Sequence, residues 1–209
     1  MIFLAFGCSS SFTSFTWNTE AASEKPDYYF DYKAFSKNEK SSLDSSSFYS
    51  LSQTLRRAEE PSLYYDSTKV MAFRFIVETT WVGEEIIRVE NEKGNIQLTY
   101  KQRFYGEPGT LDSIHPPIIR NLTQEEWTFI SNNMEESQFW ENPQQRKGFS
   151  FRCGGGRFIA EGYSDGVHQV VYESHFDSKK TQKVSEVIKY LRSSAEELKP
   201  LNFQARTPR

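Results

Sequence analysis

Glu161, Tyr163 and His168 are the residues of this chain whose types and spacing could carry acid–base chemistry. Asp165-Gly166 separates two apolar-rich runs, 158–163 and 167–174, and that dipeptide is a strong signal for a two-residue hairpin loop. In that register Tyr163 faces His168, Glu161 faces Val170 and Ile159 faces Tyr172 on one side of the sheet, with Phe158, Ala160, Val171 and Glu173 on the other. Glu161 and His168 then approach diagonally beside Tyr163, an acid, a base and a phenol on one face, as a hydrolase would need. The competing reading is structural: a half-exposed antiparallel sheet carries polar residues on its solvent side.

The remaining reactive side chains are scattered. His115 precedes Pro116-Pro117, and His168 and His175 fall on opposite faces of a regular strand, so no metal-ligand spacing appears and no metal or cofactor is expected. Cys153 has no sequence-local His or Asp to activate it. Gly154 to Gly156 lead into another strand, whereas a phosphate cradle opens a helix. Asn121-Leu122-Thr123 matches a glycosylation sequon but coincides with a helix start. A charge balance of 25 Lys plus Arg against 28 Asp plus Glu leaves no basic field for phosphate backbones, so nucleic acid is not expected as a partner.

The N-terminus carries a different kind of signal. Met1-Ile-Phe-Leu-Ala-Phe-Gly-Cys8 places a short apolar run and a small residue before a cysteine, followed by Ser9, Ser10 and Ser11. This resembles the end of a bacterial lipoprotein signal peptide. The resemblance implies cleavage before Cys8, acylation of its thiol and new amino group, and a lipid anchor in the bacterial cell envelope, the outer membrane ahead of the inner. Gly7 fits the family pattern; Ala5 stands where leucine is commoner, and Leu4 is one place early. No Lys or Arg precedes Cys8 and the apolar stretch is short for a complete signal, which expects a gene start farther upstream. If Cys8 is acylated, Cys153 has no partner; a Cys8–Cys153 bridge would instead pin the tail to the domain.

The elements that must position these residues follow from periodicity. Residues 1–8 read as a partial signal peptide and 9–64 as a Ser-rich flexible tether, because Ser41-Ser42-Leu43-Asp44-Ser45-Ser46-Ser47 and its surroundings lack a sustained period. Tyr28, Tyr29, Phe30, Tyr32 and Phe35 are too aromatic for pure linker and are candidates to dock on the domain. Residues 65–200 form the domain and 201–209 a loose tail. Phe73, Phe75 and Val77 alternate with Arg74, Ile76 and Glu78, as in a strand with at least one buried face. Residues 85–90 and 96–100 flank Gly94 as a hairpin, and 104–117 form a Gly- and Pro-rich loop. Thr123 and Glu126 form a capping box with Leu122 and Trp127 as its staple, starting a helix whose apolar face is Trp127, Ile130 and Met134. Phe139 and Trp140 then close onto the core. A final helix runs from about Lys179, carried by Val184, Val187, Ile188, Leu191, Ala195 and Leu198. The expected fold is α+β: an antiparallel sheet with two helices packed on one face, in strands–helix–strands–helix order.

That order, with Leu122-Thr123-x-Glu125-Glu126-Trp127, Phe139-Trp140, Glu161-Gly162 and Asp165-Gly166-Val167-His168, is similar to a group of bacterial proteins in which an "EG…DG.YH.V" hairpin follows an "L(T/S)xxEW" helix. The resemblance covers about residues 70–195 and implies a fold rather than a chemistry. His168 stands where that pattern has an aromatic, and Gln169 where it has histidine. The expected function is a lipid-anchored envelope module that binds a protein, glycan or small ligand through its exposed sheet face or the Phe104–Pro117 loop. The alternative is a hydrolase using the Glu161/His168 pair.

Overall fold

Two side-chain sets alternate along β1 (Met71–Thr79), and both are buried: Phe73, Phe75 and Val77 on one face, Ala72, Arg74 and Ile76 on the other. A strand so enclosed must lie between two layers. The computed structural model describes residues 29–30, 45–65, 71–79, 83–104, 113–141, 157–173 and 179–198. In it β1 is central to an antiparallel sheet with β2 (Gly83–Glu92), β3 (Asn95–Phe104), β4 (Ser113–Ile114), β5 (Ile118–Asn121), β6 (Arg157–Ser164) and β7 (Val167–Glu173). The spatial order is β4-β3-β2-β1-β6-β7, and β5 also pairs with β3.

The first face is covered by α2 (Gln124–Glu136) and α3 (Lys179–Glu196). The capping box at Thr123 and Glu126 is formed as the sequence expects: each side chain binds the other's backbone N–H. Leu122, Trp127, Ile130 and Met134 join Val184, Val187, Ile188, Leu191 and Ala195 in one apolar core with the strands. Helix α2 ends in a Schellman turn, with Gln138 at φ 59° and the Phe139 N–H bonded to the Met134 carbonyl. That turn drives Phe139 and Trp140 onto Phe73. Gly162 must be glycine at this point, because a Cβ there would meet the Phe139 ring at 2.5 Å. Gln169, opposite Gly162, fastens the same turn by donating to the carbonyls of Phe139 and Glu141 at 3.2 and 2.5 Å.

Both expected hairpins form, and the second has the expected register. Asn91 pairs with Ile96 around Lys93-Gly94, and Tyr163 pairs with His168 around Asp165-Gly166. The loop residues have φ of 53° and 91° in the first turn and 49° and 82° in the second, the two positive values that a type I′ turn requires.

The second face overturns three expectations. The reading of 9–64 as a flexible tether fails at residues 45–57, because Ser45–Arg57 forms a helix, α1. Leu51, Leu55 and Ala58 recur at helical spacing; Leu55 and Ala58 are buried and Leu51 packs beside them. Arg56 and Arg57 lie in the last turn, where cations favour the helix dipole. The exposed sheet face is likewise absent among the described strands. Ile76, Ile86, Ile159 and Val170 are buried beneath Leu55, Ala58 and Phe30. The α+β class stands, but the arrangement of two helices in strands–helix–strands–helix order lacks α1, which precedes the first strand. Serine density hid a helix with a narrow apolar stripe. The docking expected of the early aromatics is seen at Phe30, 2% exposed, with Tyr29 donating to Ser52 and accepting from Ser62. A smaller correction concerns Leu198: it lies past the end of α3 and is 49% exposed.

Candidate functional site

Glu161 and His168 do come together. They project from β6 and β7 toward the α1 side, two pairs apart in the ladder, and His168 Nε2 lies 2.8 Å from Glu161 Oε1. Tyr163, opposite His168 and half-buried, completes the expected trio in register.

Neither flat solvated face nor open cleft surrounds the pair. The Glu161 side chain is fully buried and that of His168 is 3% exposed. The second carboxylate oxygen, Oε2, accepts from Arg74 Nε at 2.8 Å and pairs with Nη2 as well. Burial opposes ionisation of Glu161, but the Arg74 guanidinium and the His168 ring outweigh it and hold the carboxyl below the usual carboxylate range. Tyr64 lies over the imidazole with ring centroids 5.3 Å apart. His168 Nδ1 is buried and has no hydrogen-bond partner. A carboxylate fixed in its ionised form by two arginine N–H groups on one oxygen is a poor proton donor, and an imidazole under a tyrosine has no approach for substrate.

The residue that organises this cluster is Arg74, whose functional weight the sequence reading missed. It is fully buried and its guanidinium spans three neighbours. Besides Glu161 it donates to the Pro61 carbonyl at 2.6 Å and lies 3.8 Å from Glu60 Oε2. Phe30 packs at 5.9 Å from its guanidinium carbon.

Glu60 is positioned by the end of α1. Glu59 adopts φ 53° and the Glu60 N–H bonds the Leu55 carbonyl, a Schellman turn with a non-glycine residue at the left-handed position. The turn aims the Glu60 carboxylate at the sheet, where its side chain is fully buried. Arg88 on β2 donates to its Oε2 at 2.9 Å, and Lys101 on β3 stands 2.8 Å from Oε1, an ion contact without hydrogen-bond alignment. Lys101 also donates to the Ala58 and Glu59 carbonyls at 2.7 and 3.2 Å. Farther along, Glu84 accepts from Thr54 and from Arg103, each at 3.1 Å. The α1 face therefore carries a charged layer from β3 to β6, bordered by His168 on β7 and interleaved with Ile76, Ile86, Ile159 and Val170. Only alternation in sequence hinted at it, since Arg74, Arg88, Lys101 and Arg103 occupy one set of strand positions.

A second, smaller cluster lies on the opposite face. Glu126 accepts from Tyr190 at 2.5 Å and pairs with Arg120 at 2.9 Å. Burial works against its ionised form, yet Tyr190, the Thr123 backbone and Arg120 keep its carboxyl below the usual range. Arg192 grips Glu85 at 2.8 and 2.6 Å, and burial together with Glu85 pushes the Tyr100 phenol upward. These groups tie α2 and α3 to the sheet.

The other candidates separate. His115 is half-buried and rests edge-on against Phe104 at 4.9 Å. Cys8, Cys153, Gly154 to Gly156 and His175 lie outside the described residues, as do residues 105–112 of the expected binding loop. Among the described residues no three His, Cys, Asp or Glu side chains gather as metal ligands would, and no helix is long and apolar enough to cross a membrane. No protein-family model matches this chain, and no curated protein is significantly similar to it.

Proposed function

We propose that this chain is a non-catalytic binding module of a bacterial envelope lipoprotein, tethered through an acylated Cys8. The observation that carries the non-catalytic part is the enclosure of Glu161: fully buried, ionised and held by Arg74. The hydrolase alternative asked that carboxylate to exchange protons with a substrate, and its geometry favours a structural role instead. Lipid anchoring rests on the Leu4-Ala5-Phe6-Gly7-Cys8 pattern and the serines after it. Several acyl chains hold a protein on a membrane where one is marginal.

A protein or glycan partner is the reading for the binding surface. The sheet face first considered for it is covered by α1, which moves the reading to the Phe104–Pro117 loop and to Tyr64 and Tyr65. Those tyrosines are 39% and 52% exposed, Tyr64 against the His168 ring and Tyr65 edge-on to Tyr64, and exposed aromatics supply contact area at recognition surfaces. The anchor is tested by expressing the full-length gene product and its Cys8→Ser variant in a bacterial host. The wild type should sediment with membranes and carry acyl groups by mass spectrometry; a variant that still sediments with membranes would overturn the assignment.

A further inference from the structure

The charged layer under α1 contains a site that is one anion short without Glu60. Arg74 on β1 and Arg88 on β2 are directly opposite in the ladder, an arrangement of like charges that is unfavourable unless an anion lies between them. Lys101 on β3 adds a third cation from the same face. Glu161 answers Arg74, and Glu90 pairs with Arg88. The charge that remains is met by the Glu60 carboxylate, which reaches Arg88 at 2.9 Å, Lys101 at 2.8 Å and Arg74 at 3.8 Å. Glu60 does not belong to the sheet. It comes from the Schellman turn after α1, on a segment otherwise held there by Leu55 and Ala58, the Thr54–Glu84 hydrogen bond, the Tyr64–His168 contact and a few carbonyl contacts.

We propose that Arg74, Arg88 and Lys101 form a binding site for a small carboxylate, that Glu60 occupies it as an internal ligand, and that this occupancy latches residues 45–65 onto the sheet. Three cations from three adjacent strands, two of them planar guanidinium groups, present the donor geometry that carboxylates take. A buried site whose cations exceed its anions draws in an anion or forces its cover open. The latch therefore opens as one piece, because α1 and its turn are one continuous segment whose buried ion contacts to the sheet are those of Glu60, with Thr54 on Glu84 and Tyr64 on His168 as its further contacts. The apolar core between the sheet and α2/α3 shares none of them. This inference is independent of the lipid anchor and of the partner.

Amide hydrogen exchange on the full chain, resolved by peptide, tests it. In Glu60→Ala, amides of 45–65 should exchange at least about tenfold faster than in the wild type, while β1, β3, α2 and α3 keep their protection. Sodium formate should restore protection to 45–65, and sodium chloride at equal ionic strength should not. Glu60→Gln keeps the volume and removes the charge; it should loosen the same peptides and ignore formate, since its amide fills the site. Should the alanine variant not fold, the glutamine variant alone decides through the peptides it loosens. Wild-type protection of 45–65 in Glu60→Gln, loss of protection spread evenly over the domain, or a formate effect no larger than that of chloride would each overturn the proposal.

Discussion

The two faces of the sheet are buried by opposite means. Toward α2 and α3, the strands offer Phe73, Phe75, Val77, Ile87, Val89, Leu98, Phe158 and Ala160, and the helices answer with Trp127, Ile130, Met134, Val187 and Leu191. Toward α1, the same strands offer Arg74, Glu84, Arg88, Lys101, Arg103 and Glu161 with a few aliphatic residues between, and the cover answers with Thr54, Glu60 and backbone carbonyls. The first face gains stability in proportion to apolar area removed from water. The second recovers desolvation through matched charge, which leaves little net gain and a large penalty for removing any one partner. Burial and apolarity are thus separate properties, and a strand face rich in Arg and Glu is no proof of contact with water.

Replacing a single member of the charged layer should produce the largest effect. Arg74→Ala leaves Glu161 buried with His168 alone beside it, and denaturant unfolding should show a loss of about 3–5 kcal/mol, far above that of a solvated strand arginine. A loss within the range of surface substitutions would erase the distinction between the faces. On the apolar face the matching probe is Gly162→Ala. Its new methyl must displace the Phe139 ring, and the expected cost is about 1–3 kcal/mol. If Phe139→Leu is then added, part of that cost should return.

Acid should separate the faces further. The folded-state carboxyl of Glu161 is held down by Arg74 and His168 against the opposing effect of burial, so its contribution is fully present above the unfolded value of ~4.3 and is lost as pH falls through the folded value. Thermal midpoints followed downward from pH 5 should fall for the wild type and fall less for Glu161→Gln, whose own midpoint at neutral pH is lower. Parallel acid limbs for the two proteins would contradict this. Thr123→Ala removes the α2 cap and should cost about 1 kcal/mol, read from the same denaturant curves. Lys183→Ala, which breaks a solvent-exposed pair with Glu136, should leave the midpoint unchanged within error.

How much of this was legible follows from the range of the signals. The Asp165-Gly166 register, the Thr123/Glu126 box and the α3 stripe are local, set by residues within a few positions of one another, and the structure has each of them. Helix α1 was hidden because Ser45, Ser46, Ser47, Ser50 and Ser52 dominate its composition, although Leu51, Leu55 and Ala58 keep a helical stripe. The charged layer was hidden for a different reason. Glu60 meets Arg88 across 28 positions and Arg74 meets Glu161 across 87, and no periodicity reports on pairs that distant. The Glu161–His168 contact was foreseen from hairpin geometry, but its enclosure depends on Arg74 and Tyr64, which come from elements outside the hairpin.

The central claim is that Glu161 belongs to a buried structural pair and not to a solvated or catalytic face. A double-mutant cycle on Arg74→Met and Glu161→Leu, followed by denaturant unfolding, tests it most directly. Each single variant should be strongly destabilised, and the double variant, with a neutral apolar pair in the same volume, should recover most of the loss, giving a coupling of about 2–3 kcal/mol. Additivity within about 0.5 kcal/mol would mean that the two side chains do not depend on each other, and would contradict the account.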